Sequence, residues 1–117
     1  MNIVYFGHNC FLLEGKHVSV LTDPWLSDKG AFFGSWFQWP INHELISPLI
    51  DRLKNQENTI LYISHEHQDH FDIATLRKVK PFIKKCMLPK YDDVFLRDKM
   101  LEIGFSVVEL DDQKLEQ

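Results

Sequence analysis

The 117-residue chain has little cysteine, no long apolar run and no block of basic charge, and each shortage removes a class of protein. Its two cysteines, Cys10 and Cys86, lie far apart and form no Cys-x-x-Cys pair. Each therefore reads as a reduced, partly buried thiol, with a metal or redox role as the alternative. No stretch approaches the ~20 uninterrupted apolar residues that cross a bilayer. The start, Met1-Asn2-Ile3-Val4-Tyr5-Phe6, has no basic region ahead of an apolar one. The expectation is a cytoplasmic protein without a transmembrane segment. A net charge of -4, with the thirteen Lys and Arg residues dispersed, argues against a nucleic-acid surface. What is present is apolar material, 44% of residues, enough for one globular domain or part of one.

Asn2 to Phe6 and Cys10 to Glu14 are runs of β-formers separated by Gly7-His8-Asn9, and Gly15-Lys16 leads into Val18 to Leu21. This pattern predicts an antiparallel meander. Pro24 ends the third strand, because it has no amide to donate and biases Asp23 away from helix. From Trp25 to Trp39 the rings Phe32, Phe33, Trp36, Phe37 and Trp39 show neither helical nor strand period. They suit either a core plug or the wall of a substrate pocket. Leu45, Ile46, Leu49, Ile50 and Leu53 have helical spacing, with the regular helix expected to start near Pro48 and His43 a polar residue near that start.

Thr59 to Ser64 is a near-continuous apolar run, the mark of a strand covered on both faces. Beyond it, Ile73 to Val79 predicts a helix with Asp72 as N-cap, ended by Pro81, and Phe82 to Leu88 a strand. Asp92 or Asp93 caps a helix reaching about Ile103. Val94, Leu96 or Phe95, Met100, Leu101 and Ile103 are expected to face inward, with Gly104 as the stop. Phe105 to Leu110 is a last strand. The order β-β-β-(α)-β-α-β-α-β predicts an α/β layered domain.

His65-Glu66-His67-Gln68-Asp69-His70 places three imidazoles and a carboxylate within six residues, directly after the buried strand. Alternate residues of an extended segment share a face, so His65 and His67 suit one ion, while a tightening turn lets Asp69 and His70 reach a second. Glu66 and Gln68 alternate with these and are not assigned to metal. Imidazole with one carboxylate suits zinc first, with iron or manganese as alternatives. Such an ion lowers the pKa of bound water towards about 7, which makes hydrolysis the natural reaction. An exposed histidine-rich turn without metal is a poorer account of ordered spacing at a strand's carboxyl end, where α/β ligand sites gather.

At these residues the sequence resembles the metallo-β-lactamase superfamily, whose His-x-His-x-Asp-His motif is matched at every defined position. The resemblance implies an αββα sandwich, of which this chain would hold the amino-terminal half. It implies His65 and His67 as ligands of one metal, and Asp69 and His70 as ligands of the other. Asp69 would also orient or deprotonate the attacking water. Gly7 to Glu14 and Leu21 to Leu26 are similar to the opening strands of ascorbate-phosphate lactonase-like and acyl-phosphatidylethanolamine phosphodiesterase-like proteins. The region from Asp23 to Trp39 resembles the CMP-N-acetylneuraminate hydroxylase relatives.

Two further residues have paired readings. His8 either approaches the metal pocket or is a surface group in a turn. Asp23 either hydrogen-bonds a ligand imidazole or simply forms the turn.

The usual domain of this superfamily is longer, and takes a third histidine, a bridging aspartate and a last histidine from its later half. No histidine follows His70 here, and Asp92, Asp93, Asp98, Asp111 and Asp112 carry no matching motif. Residues 1–117 are therefore expected to be one partial domain, weakly active or inactive alone, with a homo-oligomer forming through the face left open. The expected function is a hydrolase with two zinc ions in the complete site, acting through metal-activated water on an ester, lactone or phosphodiester of an anionic small molecule. The alternatives are a non-catalytic ligand- or partner-binding domain, or an oxidative enzyme using iron, since the resemblance also covers diiron members.

Overall fold

Apolar residues at every second position give a strand one wet and one dry face, and those at every third or fourth give a helix a dry stripe. Both periods are realised in the computed structural model, which describes residues 1–7, 10–24, 43–64, 73–90 and 95–110. The strands are β1 (Asn2–Tyr5), β2 (Phe11–Glu14), β3 (Ser19–Thr22), β4 (Thr59–Tyr62), β5 (Ile83–Pro89) and β6 (Val107–Leu110). The helices are α1 (Ile46–Lys54), α2 (Ile73–Val79) and α3 (Phe95–Ile103).

The six strands form one sheet in chain order. β1, β2 and β3 pair antiparallel, as the hairpin spacing requires, and β3 to β6 pair parallel. One row runs straight across: Val4, Leu12, Leu21, Leu61, Cys86 and Val107 stand in register. Leu12, Leu21, Leu61 and Cys86 are fully buried, and Val4 and Val107 pack against them. Each crossover from β3 onward advances one strand in the same direction, and right-handed crossovers of that kind put their helices on one face. The core agrees, because Leu49 and Leu53 of α1, Leu76 and Val79 of α2, and Leu96 and Met100 of α3 belong to the same cluster as the row. At roughly 1.5–3 kcal/mol per buried leucine side chain, this row outweighs the exposed ion pairs on the surface.

Among the described residues nothing covers the other face of the sheet. Ile3, Tyr5 and Phe11 at one end and Val108 and Leu110 at the other are exposed, while Leu13, Val20, Ile60, Tyr62 and Met87 are half-buried. The strand expected to be covered on both faces is thus covered fully on one: Thr59 and Leu61 are buried, Ile60 and Tyr62 only in part.

α1 starts near Pro48 as expected, while α3 differs from expectation in its inward stripe. α1 starts before Pro48, after a 3-10 turn at His43–Leu45. Pro48 is its third residue, where a missing N–H has no helical carbonyl to bond in any case. In α3, Phe95 and Leu101 are exposed, and the inward stripe is Leu96 and Met100 with Ile103 half-buried. Residues four apart share a helix face, so Leu96 and Met100 stack on the sheet while Leu101 turns away. Gly104 ends α3 at φ +112°. Its N–H bonds the Leu101 carbonyl at 3.0 Å, and that of Phe105 bonds Met100 at 3.0 Å, the double closure of a Schellman cap.

At the amino-terminal edge of the parallel strands a polar cluster ties the β2–β3 turn to α1. The Glu14 carboxylate accepts from Arg52 Nη2 at 2.8 Å and Nε at 3.0 Å, and from Gln56 Nε2 at 3.1 Å. Glu14 holds the Arg52 guanidinium above its ordinary pKa, first through the hydrogen bond and then through charge.

Three substitutions or modifications test this packing. The Thr59 hydroxyl is buried without a hydrogen-bond partner among the described residues, so Thr59→Val, which keeps the shape, is expected to raise stability by about 1 kcal/mol in urea unfolding with an unchanged slope. Gly104→Ala is expected to lower it by at least about 1 kcal/mol, since a Cβ there would stand 2.7 Å from Lys80 Cε on a backbone that side chains disfavour. Both cysteines are buried and outside any disulfide, and burial pushes the Cys86 thiol up to about 12. At pH 8 only roughly one Cys86 in ten thousand is then thiolate, so thiol reagents should label neither cysteine until guanidinium unfolds the chain. Fast labelling of the native protein would contradict this.

Candidate metal site at the carboxyl edge of the sheet

Parallel strands end on a common edge, and in α/β sheets that edge is where loops gather ligands. β3 ends at Thr22 and β4 at Tyr62, which stand opposite each other in the ladder. Thr22 in turn faces Phe11, and Phe11 faces Tyr5, so the β1–β2 turn lies on this edge as well. That turn is closed by Phe6 N–H to the Cys10 carbonyl and Cys10 N–H to the Gly7 carbonyl, both at 2.9 Å. The ladder continues past the strands: Asp23 N–H bonds the Tyr62 carbonyl at 3.0 Å, and Ile63 N–H that of Met87 at 3.3 Å.

Asp23 is the described residue in which this edge is most specialised. It has φ +36°, in the left-handed region that a side chain enters at a cost of about 1–3 kcal/mol, and it is 5% exposed. Aspartate tolerates that conformation better than most residues because its short carboxylate bonds locally. Here the carboxylate reaches across to the next strand instead. Oδ1 accepts from the Ser64 N–H at 2.7 Å and Oδ2 from the Ser64 hydroxyl at 2.8 Å. Asp23 therefore both shapes the turn and bonds the next strand. The hydrogen bond to an imidazole concerns residues outside the described set.

His65, His67, Asp69 and His70 lie outside the described residues, as do His8 and the aromatic segment from Trp25 to Trp39. What the fold brings to one edge is Ser64, which immediately precedes the cluster in the chain, Asp23, which holds Ser64, and Gly7 and Cys10, which flank the turn carrying His8. Among the described residues no group of three or more histidine, cysteine or acidic side chains could hold a metal ion. A metal site at this edge would need donors from outside the described residues. Ser64 escaped the sequence reading, which took it only as the end of a strand. Its signal was present in a hydroxyl one residue upstream of His65, together with an aspartate closing the neighbouring strand.

No helix among the described residues is long and apolar enough to cross a membrane.

Comparison with known proteins adds the family. A Rieske 2Fe-2S iron-sulfur protein, so named, from Mycolicibacterium smegmatis is 37% identical over 105 residues, covering 90% of this chain and 19% of that protein. The cytidine monophosphate-N-acetylneuraminic acid hydroxylase of Asterias rubens is 34% identical over 76 residues, 65% of this chain and 11% of the hydroxylase. Among solved structures, a substituted form of the CmlA beta-hydroxylase superposes with a TM-score of 0.65 at 26% identity, over 94% of this chain and 21% of the other. The chain thus spans about a fifth or less of the length of these proteins. The hydroxylase branch suggested by the region after Asp23 is among the matches. A family model described as a beta-lactamase superfamily domain matches residues 2–112, and with the αβ architecture and the edge just described, the chain belongs to that family.

Proposed function

We propose that this chain supplies one ligand-bearing edge of a dinuclear metal centre in a larger enzyme, and that the enzyme's reaction is oxidative hydroxylation of a small molecule rather than hydrolysis. The observation that carries the metal-centre half is the Asp23–Ser64 pair. A strained, buried carboxylate is used to fix the exit of β4, and the next six residues hold three imidazoles and a carboxylate. That donor set fits a divalent or trivalent first-row metal, with His65 and His67 for one ion and Asp69 and His70 for the other. When bound, a redox-active metal in such a set supplies activation of dioxygen, and a redox-inert one supplies Lewis-acid activation of water.

The hydroxylation half is supported by the relatives, two of which are named hydroxylases. The donor types also accept iron, and with relatives named as hydroxylases iron takes first place in this reading and zinc second. Hydrolysis stays as the second reading because the same donor set also activates water, and the family takes its description from β-lactamases. In either case the chain's own residues do the same work: Asp23 and Ser64 hold the edge, and the 65–70 run holds the metal.

Anaerobic purification of the complete natural protein, followed by metal analysis, separates the readings. Hydroxylation predicts bound iron and substrate-dependent oxygen uptake. Bound zinc, with ester or phosphodiester cleavage and no oxygen uptake, would establish hydrolysis instead. His67→Ala is expected to reduce metal content and turnover by more than the about 10- to 100-fold that loss of an outer partner costs. Full metal content in that variant would defeat the site assignment.

A further inference from the structure

The basic residues are spread along the chain, but the acidic ones are not shared evenly with them. From Ile73 to Lys90 there are six basic residues, Arg77, Lys78, Lys80, Lys84, Lys85 and Lys90, and no acidic one, in a chain whose net charge is -4. Among the described residues none of the six has an ion-pair partner, whereas Arg52, Arg97 and Lys99 each meet a carboxylate. Lys54, the last residue of α1, is exposed and likewise unpaired among the described residues. An open groove of about 430 Å³ runs between the two helices, lined by Ile46, Ser47, Ile50, Asp51 and Lys54 of α1 and Lys78 of α2. Ile46 and Ile50 stand four apart on one stripe, half-buried and packed against the core, and form its apolar floor. Ser47 and Asp51 are too short to fill the space above that floor. Lys54 and Lys78 stand exposed beside it, one on each helix.

We propose that this groove receives an acidic amphipathic helix of a separate protein. A recessed apolar floor between two helices is filled by side chains that project from a ridge, which a third helix supplies at every third or fourth position. Carboxylates flanking those anchors then meet Lys54 on one side and Lys78 on the other, with the unpaired Arg77 and Lys84 strengthening the field that draws them in. A bilayer surface is matched less well, because it takes up apolar side chains that project past the cations, and here they lie below them. A nucleic acid is matched less well too, since Asp51 stands among the lysines and the chain as a whole is acidic. Charged walls around a small apolar floor suit a reversible contact, whereas permanent interfaces are more apolar. The groove contains no residue that the metal-centre reading uses, so the two readings stand or fall separately.

Fluorescence anisotropy on the complete natural protein tests this with labelled probes. One is a synthetic helix with leucines at every third or fourth position flanked by glutamates; the others are the same leucine stripe flanked by lysines, and a DNA duplex. The glutamate helix is expected to bind, more weakly as salt rises, and the other two are not. Lys54→Glu combined with Lys78→Glu should weaken its binding at least about 10-fold. Ser47→Trp, which fills the groove and leaves its charge unchanged, should do the same. Lys90→Glu, at the opposite edge of the sheet, should change affinity by no more than about twofold, because salt screens a charge at that distance. The substituted side chains are exposed, and circular dichroism checks that each variant is folded. Equal binding of the lysine helix or the duplex would overturn the proposal, as would undiminished binding in Ser47→Trp. A loss in Lys90→Glu as large as in the paired variant would reduce the effect to net charge and end it. Failure of the glutamate helix to bind at all defeats it as well, whether the protein's own chain covers the groove or nothing does.

Discussion

The pairing of β3 with β4 is where two kinds of sheet meet. Up to β3 the chain makes a meander from tight turns; beyond it, a parallel partner can be reached only by a crossover, and residues 23–58 provide one that includes α1. Closing so long a segment costs entropy before any contact is gained, though the cost grows only slowly with length. The compensation is visible in the register. Leu21 meets Leu61 in the buried row, and α1 lays Leu49 and Leu53 over that row. The same pairing brings the end of β3 beside the end of β4, so Asp23 can reach Ser64 only because it has formed. Core and site edge thus depend on one register. A slip of a single residue would turn Leu61 outward and separate Asp23 from Ser64 together.

Much of this could be read from residue pattern because the signals were local. The α2 boundaries, Ile73 to Val79, follow from spacing and a flanking proline, and the strands fall within two residues of their apolar runs. Gly104 marked the end of α3 correctly because an unbranched residue at positive φ has few substitutes. The readings that differed depended on neighbours distant in sequence. Whether Phe95 and Leu101 face inward is settled by where α3 lies on the sheet, and its apolar residues allow more than one stripe. Whether both faces of β4 are covered depends on what packs against the sheet, which no pattern within residues 59–64 records. The site divides in the same way: the donor run announces itself by composition, while the role of Ser64 arises from an acidic residue forty-one positions earlier.

The same division holds between motif and chemistry. Imidazole and carboxylate donors suit zinc, iron and manganese alike, so a ligand run specifies that a metal is held more firmly than which one. The choice between activating water and activating oxygen lies in redox capacity, in open coordination positions and in the outer residues that tune them. Most of those residues would come from parts of the relatives that this chain does not span, since it matches about a fifth or less of their length. The relatives named as hydroxylases therefore carry information about reaction type that the six-residue run lacks.

The two edges of the sheet are built to different ends. At the amino-terminal edge, Glu14, Arg52 and Gln56 form a hydrogen-bonded cluster that joins a turn to a helix. At the carboxyl edge the chain accepts an unfavourable φ at Asp23 and offsets it with bonds to the peptide before the histidines. If stability alone had shaped that position, a glycine or asparagine would meet the backbone requirement with less strain. The carboxylate there accepts from both the N–H and the hydroxyl of Ser64, which a glycine could not do, and the leucine row supplies the rigidity against which the strained backbone is held.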